Sequence, residues 1–407
     1  MKFSKSQFSW LLYDPANAAY ALIVRTVFAP AFFMAAATPV WGEVSGTAYW
    51  GYAASLAGIA AGIFTLATGN FADVRRRKRR MLGLCTGVGL VTTAAMPLLG
   101  DRAHPLMILI LFFFGMCGYM SANGFYDSLL VNAARPEERN RLSSIGYAWG
   151  YLGGMIPFIP VMLIAFYRPA WAYRAAFWIT ALWWGAGTIP LLWNVPETGG
   201  GGVRVRMAET LKFIAGHRLI LFFLIAYFLY IDGIGTILLV ATPLAANLRI
   251  PPGVLMVIIL ALQLIAFPFT VLYGRAAEKF GARPMIRVAI AVYVLIAALT
   301  AALSFTPDLR IRQIMFGGIA FLIGTSQGGI QALSRSLYSR IIPPERAAEL
   351  FSVYNFFGKF TTILGPVLVG AAAAWWTRPE LGVTLLILPF LCGGILLSLL
   401  PLPPGVR

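Results

Sequence analysis

Charged side chains are scarce in this sequence, at 12% of 407 residues, whereas soluble proteins carry about 25%. A chain with 59% hydrophobic residues and a mean hydropathy of +0.78 cannot cover a water-facing surface. It is therefore predicted to be an integral membrane protein. Its apolar runs predict helical spans, because they are about twice as long as the roughly ten-residue alternating strands of a membrane barrel.

Histidine and cysteine are also nearly absent, with two and three copies respectively. Both histidines fall at predicted span ends, and the cysteines stand singly in apolar runs without the spacing of metal ligands. The sequence contains no nucleophile–base spacing and no nucleotide-binding motif. These absences argue against an enzyme, against a metal or other cofactor, and against direct use of ATP.

Twelve apolar runs predict twelve spans, near 8–36, 48–71, 81–100, 105–133, 142–167, 171–194, 219–246, 252–274, 285–304, 311–338, 348–375 and 380–402. The predicted domains are a bundle over 1–196, a cytoplasmic linker over 197–217 and a bundle over 218–407. With the N-terminus placed inside, roughly 22 of the 32 lysines and arginines fall on the cytoplasmic side. The net charge of +17 thus indicates orientation in a cytoplasmic membrane, with both termini inside, and not nucleic-acid binding.

Two loops recur about half the chain apart, which predicts a duplicated six-helix unit. Gly69 begins one copy and Gly274 the other, 205 residues later, and each is followed by a carboxylate and then by basic residues. A second pair of loops begins at Pro136 and at Pro343, 207 residues later, and each continues into Glu and Arg. The two offsets agree within two residues, so the duplication rests on two independent signs.

The first pair of loops resembles the G-x-x-x-D-x-x-G-R-R loop of the major facilitator superfamily, with Arg76 replacing the second Gly in one copy and Glu278 replacing the Asp in the other. The resemblance implies an all-α membrane fold with 12 transmembrane helices in two pseudo-symmetric six-helix bundles, and transport by alternating access. Asp73 and Glu278 are expected to latch the outward-open state by pairing with arginines or helix N-termini across the two halves. The predicted gating residues are Asp73, Arg77, Arg139, Glu278, Arg283 and Arg346.

Polar side chains recur at helical spacing inside several apolar spans. They are Asn123 and Asp127 in span 4, Gln327, Gln331 and Arg335 in span 10, and Asn355 and Lys359 in span 11. Hydrogen bonding between helices would account for the amides, and extension to the cytoplasmic interface would account for Arg335. An ionic side chain that faces lipid costs several kcal/mol, so we expect the charged members to face protein or a wet cavity.

Three further charges fall in spans 1 and 7. Asp14 lies near the start of span 1, where it could simply cap a helix beside Pro15, and Arg25 lies deeper in the same span. Asp232 is followed closely by two glycines, which is typical of a loosened helix lining a cavity, although a purely structural hydrogen bond would also suit it.

The same residues carry a closer resemblance, to the vacuole-effluxer-like branch of the superfamily. The matching motifs are Tyr13-Asp14-x-Ala16-Asn17-x-Ala19-Tyr20, Tyr230-x-Asp232-Gly233, Gln327-Gly328-Gly329-x-Gln331-Ala332-x-Ser334-Arg335-Ser336 and Tyr354-Asn355-x-x-Gly358-Lys359. The resemblance implies that spans 1, 4, 7 and 10 line a central cavity. The residues then expected to bind substrate are Arg25, Asn123, Gln327, Gln331, Arg335, Asn355 and Lys359, and those expected to carry a coupling proton are Asp232, Asp127 and Asp14.

The predicted function is secondary active transport of a small polar organic solute, amino-acid-like or an organic anion, with a proton as the candidate coupling ion. The alternatives are a lipid or lysolipid flippase, a broad drug exporter, and a membrane receptor that moves nothing. The expected partners are the solute and the lipid bilayer, with no nucleic acid, and the chain is expected to act as a monomer.

Overall fold

The computed structural model describes residues 3–100, 104–197, 207–359 and 383–402. All regular elements among these residues are helices. In chain order the α-helices are α1 Lys5–Leu11, α2 Tyr13–Ala19, α3 Ala29–Trp41, α4 Glu43–Val74, α5 Lys78–Ala95, α6 Pro105–Ser128, α7 Leu130–Ala133, α8 Arg139–Tyr167, α9 Ala172–Asn194, α10 Met207–Gly216, α11 Arg218–Asn247, α12 Pro252–Phe280, α13 Ala282–Ala302, α14 Leu309–Ile341, α15 Ala347–Lys359 and α16 Ile387–Leu399. A π-helical segment, Tyr20–Phe28, joins α2 to α3.

Nine stretches of the described residues are long and apolar enough to cross a membrane, and they correspond to predicted spans 1 to 9. The helix of span 10, α14, has 33 residues but is not among these nine stretches. Span 12 is represented by the shorter apolar stretch Val383–Leu399, and span 11 lies outside the described residues beyond 359. The all-helical membrane fold is thus confirmed, while the count of twelve stays a prediction.

The chain groups into two compact units. Unit 1 comprises Met1–Arg135, Trp149–Met207 and Pro343–Asn355, and unit 2 comprises Pro136–Ala148, Ala208–Ile342 and Phe356–Arg407. Each unit therefore draws most of its helices from one predicted bundle and one short segment from the other. The exchanged segments are the first turns of α8 and α15, together with the short loop that precedes each of them.

Span 1 is irregular at its centre, where the π-helical segment carries Arg25. The amide of Ala29 donates to the carbonyl of Val24, five residues back, and Pro30 has no N–H to continue an α-helical pattern. The Thr26 hydroxyl donates to the carbonyl of Ala21, 2.8 Å away. Wide turns of this kind occur often at functional sites, because they re-aim the side chains that they carry.

The repeated loops share a positive φ angle at one motif position. Arg76 and Gly281 lie seven residues after Gly69 and Gly274, and both have positive φ, 52° and 90° respectively. A glycine adopts this conformation freely, whereas any other L-residue loses about 1–2 kcal/mol there. The two loops thus share a positive φ at this position, and Arg76 is held in a conformation that favours glycine.

Candidate functional site

Asp73 is placed where it can hold the start of another helix. Its carboxylate, 4% exposed, accepts hydrogen bonds from the backbone amides of Ala348, at 3.0 Å, and Glu349, at 2.8 Å, in the first turn of α15. The positive end of a helix dipole favours an anion at this position. The ammonium group of Lys78, also buried, lies 3.0 Å from one carboxylate oxygen. The contact joins positions 275 residues apart within unit 1.

Glu349 completes this group, which we call the Asp73 cluster: Asn70, Asp73, Lys78, Arg346 and Glu349. Arg346 donates to both carboxylate oxygens of Glu349, at 2.8 and 2.5 Å, and the Asn70 side chain donates to one of them at 3.2 Å. Glu349 is buried, and its role was not predicted from the sequence. The signal that could have found it is its spacing three residues after Arg346, which brings two helical side chains together.

The α15 segment approaches α4 closely at the first glycine of the motif. A Cβ atom built on Gly69 would lie 2.9 Å from the carbonyl oxygen of Ala348 and 2.7 Å from the Ser352 hydroxyl. Both distances are shorter than real Cβ contacts allow, so a side chain here would push α15 away. Gly274 is similarly confined in unit 2, where its Cβ would lie 2.5 Å from that of Ser144.

The remaining predicted gating residues are placed differently. Arg77 is exposed, with its guanidinium 5.7 Å from the centroid of the Phe71 ring, so it is Lys78 that pairs with Asp73. Glu278 is exposed and forms no ion pair with a described residue. Arg283 donates to the carbonyl of Leu400, at 2.8 Å, and so caps the end of α16. The expected contact with a helix N-terminus is thus present at Asp73, and the gating roles stay predictions.

Arg335 is buried inside unit 2, with 1% of its surface exposed. It donates to the hydroxyl of Ser143 at 2.9 Å and to the Ser143 carbonyl at 3.1 Å, and its guanidinium carbon lies 4.2 Å from the centroid of the Tyr147 ring. Stacking on an aromatic face together with directed hydrogen bonds is characteristic of arginine. Its burial does not support the alternative that Arg335 simply extends to the water interface.

The same face of α14 receives the start of α8. Arg139, which is buried, donates to the carbonyl of Ser339 at 2.5 Å, near the end of α14, where a cation is favoured. The Ser336 hydroxyl donates to the side-chain oxygen of Asn140 at 2.7 Å. These bonds hold the exchanged α8 segment within unit 2, as the Asp73 cluster holds the α15 segment within unit 1.

In unit 1, polar side chains of spans 1, 4 and 11 are linked in pairs. The amide of Asn17 donates to the side-chain oxygen of Asn123 at 2.7 Å, and the Tyr126 hydroxyl donates to Asp14 at 2.7 Å. The Asn355 side chain donates to the buried carboxylate of Asp127 at 3.1 Å. Asp14 thus bonds to a side chain of span 4, which a helix cap alone would not require.

The other predicted site residues have mixed environments. Arg25 is exposed, Gln327 and Gln331 are half-buried, and Asp232 is 2% exposed within α11. Lys359 ends the described part of α15, and its side chain lies outside what the structure describes. Asn123 and Asp127 each meet an asparagine of another span, as described above, and of these partners only Asn355 was predicted as a site residue.

Comparison with known proteins decides the family. The sequence model of the family described as "Vacuole effluxer Atg22 like" matches residues 38–405. The chain belongs to this Atg22-like family. The MFS-type transporter YxiO of Bacillus subtilis strain 168 is 33% identical over 418 residues, covering 98% of this chain and 96% of YxiO. Autophagy-related protein 22-2 of Aspergillus clavatus is 28% identical over 265 residues, which cover 56% of this chain but 43% of the fungal protein.

Solved structures agree on the fold of this Atg22-like chain. The human organic anion transporter MFSD10 superimposes with a TM-score of 0.77 at 15% identity, covering 97% of this chain and 99% of MFSD10. The proton:xylose symporter XylE superimposes with a TM-score of 0.72 at 16% identity, covering 98% and 94%. Identities this low establish the fold alone. The family match and the similarity to YxiO carry the role: the chain is a multi-pass membrane transporter of the major facilitator type, and its relatives and structural neighbours are transporters, not enzymes.

Proposed function

We propose that this transporter carries a small polar solute bearing a carboxylate or similar anionic group, either amino-acid-like or an organic anion. The observation that carries the proposal is Arg25, an exposed guanidinium in the middle of the first span, Lys5–Trp41. Arg25 forms no hydrogen bond or ion pair with a described residue. A cation at this depth is costly in lipid, so it should meet water or an anion, and a planar guanidinium binds carboxylates in two-point contacts.

The π-helical segment adds support for a solute contact at this place. It widens the helix around Arg25 and is fixed by Pro30, so the arginine projects from a turn that does not follow the regular helix. Asn123, Gln327, Gln331, Arg335, Asn355 and Lys359 stay predictions as further solute-binding residues.

We propose Asp232 as the first candidate for a coupling proton, followed by Asp127 and Asp14. Asp232 is almost completely buried within a candidate span. The proton affinity of a carboxylate depends on its exposure to water, so proton binding and release there can be tied to a change in that exposure. We place the protein in the cytoplasmic membrane with both termini inside, in keeping with the distribution of basic residues.

We propose the Asp73 cluster as the gate. Its bonds join the first turn of α15 to the end of α4, so they are available to break and re-form once in each transport cycle. A gate must hold the two helices together in one state of the cycle, yet its bonds must be weak enough to break in the next. Charge-assisted hydrogen bonds to one helix terminus, each worth about 1.5–3 kcal/mol, fit that requirement.

The proposal is tested by flux measurements in proteoliposomes, with amino acids and organic acids as solutes, with and without a pH gradient. Arg25→Gln should lower flux at least tenfold while leaving the unfolding temperature unchanged, and the matched control Arg275→Gln, which removes another exposed arginine, should retain full flux. Asp232→Asn should abolish the response to the pH gradient but leave solute exchange. Full flux in Arg25→Gln would refute the solute site, and a retained pH response in Asp232→Asn would refute the proton site.

A further inference from the structure

A strongly basic cavity lies at the end of the second and third spans, in unit 1. It has a volume of about 540 Å³ and is lined by Arg75, Arg76, Arg77, Arg79, Arg80 and the single carboxylate Glu197. None of its arginines contributes to the proposed solute site. Five guanidinium groups within one small volume repel one another, so the cavity should attract an anion.

Glu197 neutralises only one of these five guanidinium groups, that of Arg79, so the cavity keeps an excess of positive charge. Its two oxygens accept hydrogen bonds from the backbone amides of Lys78 and Arg79, at 2.9 and 3.1 Å, and so cap the start of α5. The same carboxylate pairs with the Arg79 side chain at 3.2 Å. Arg75, Arg76 and Arg80 are exposed and form no ion pair with a described residue.

Arg76 adds an independent observation, because it occupies a place in the backbone that favours glycine. Its φ of 52° is matched by a glycine, Gly281, at the same position of the second loop. A large cationic side chain is thus kept at the rim of the cavity despite a strained conformation. Strain of this kind persists where the surrounding structure holds it, and it is common at sites that hold ligands.

The surface beside the cavity distinguishes a lipid from a soluble anion. Arg80, Leu84, Val88 and Val91 are all exposed and lie at spacings of four, eight and eleven residues, on one face of α5. The cationic end of this face is at the cavity, and the apolar remainder runs along a candidate span. A phospholipid has the same arrangement, with an anionic phosphate above apolar chains.

We propose that this cavity binds the phosphate of an anionic phospholipid, whose acyl chains lie along the exposed face of α5. Arg75, Arg76 and Arg80 surround the phosphate, and Leu84, Val88 and Val91 contact the chains. Arginine binds phosphate oxygens in two-point contacts, and clusters of basic residues next to a span attract anionic lipids. The site is independent of the solute proposal, because it shares no residue with it.

The test is a titration of the purified full chain, in neutral detergent, with dioleoyl phosphatidylglycerol, followed by the rise in unfolding temperature. Dioleoyl phosphatidylcholine and sn-glycerol 3-phosphate are titrated in parallel. The double variant Arg75→Gln/Arg80→Gln should weaken phosphatidylglycerol binding about 30-fold. The matched control Arg275→Gln/Lys279→Gln, which removes two exposed charges elsewhere, should bind as the unaltered chain does.

A second variant guards against a misfolded protein. Arg76→Gly should keep the unfolding temperature of the lipid-free protein, because it relieves the positive φ, yet should weaken phosphatidylglycerol binding. If the control double variant weakened phosphatidylglycerol binding equally, the binding would reflect general attraction to a basic surface, and the proposed site would be overturned. Binding of sn-glycerol 3-phosphate as tight as that of phosphatidylglycerol would overturn the lipid assignment in favour of a soluble anion.

Discussion

Asp73→Asn should be among the most damaging conservative substitutions in this chain. The change keeps the shape of the side chain but removes the charge that faces the first turn of α15 and the buried ammonium group of Lys78. One carboxylate oxygen becomes an amide donor, which opposes a backbone N–H. Removing one member of a buried ion pair costs about 3–5 kcal/mol, because the other charge is left buried and uncompensated.

The assay is the free energy of unfolding in mixed micelles of neutral detergent and sodium dodecyl sulfate. We expect Asp73→Asn to lower it by about 3–5 kcal/mol. The matched control is Glu278→Gln, at the equivalent motif position, where the side chain is exposed; it should change the free energy by no more than about 0.5 kcal/mol.

A double variant shows whether the loss arises from the ion pair. Asp73→Asn combined with Lys78→Met removes both buried charges, so it should be less damaging than Asp73→Asn alone. The buried ion pair would be contradicted if Asp73→Asn lowered the free energy of unfolding no more than Glu278→Gln does. It would also be contradicted if the loss in the double variant equalled the sum of the losses in the two single variants.

Three further predictions concern packing and capping. Gly153→Ala should lower the free energy of unfolding by at least about 1–3 kcal/mol, because a Cβ atom would overlap Pro15; Gly87→Ala, with no neighbour within 4 Å, should be neutral or stabilising in the same assay. Glu197→Gln should cost about 1–2 kcal/mol by weakening the cap of α5, and an unchanged value would contradict that role. Asn355→Ala should lower proteoliposome flux, because Asp127 loses a hydrogen bond inside a span, and undiminished flux would argue that this bond is only structural.

Much of the fold follows from composition and repetition. Apolar runs predict the spans, because a bilayer requires about 20 apolar residues for each helix. The recurring loops at Gly69 and Gly274 predict the duplicated unit. Helical spacing also located Asp127 and Asn355 on polar faces. Spacing does not, however, say which side chain of a distant helix will meet them.

The parts that were not predicted depend on long-range contacts. Lys78 and not Arg77 reaches Asp73, because only one of two neighbouring side chains points inward from the start of α5. Glu349 lies 279 residues from Asn70, and no local pattern reveals that pairing. Asp73 and Glu278 occupy matching positions but differ in burial, so sequence symmetry did not imply symmetric charge environments.

The exchanged α8 and α15 segments are a further case in which long-range contacts could not be predicted from the sequence. A sequence read in order assigns each of them to its own bundle. In the structure α15 donates hydrogen bonds to Asp73, and α14 donates one to Asn140, so each segment groups with the other unit. The π-helical segment had a local signal in Pro30, but a proline inside a span also predicts a simple kink.

Solute exchange in proteoliposomes loaded with a mixture of amino acids and organic acids shows whether transport depends on Arg25. We expect saturable uptake of an anionic or zwitterionic solute, accelerated by the same solute on the opposite side and lost in Arg25→Gln but not in Arg275→Gln. Tight binding of such a solute without any flux, or flux equal in both variants, would contradict it.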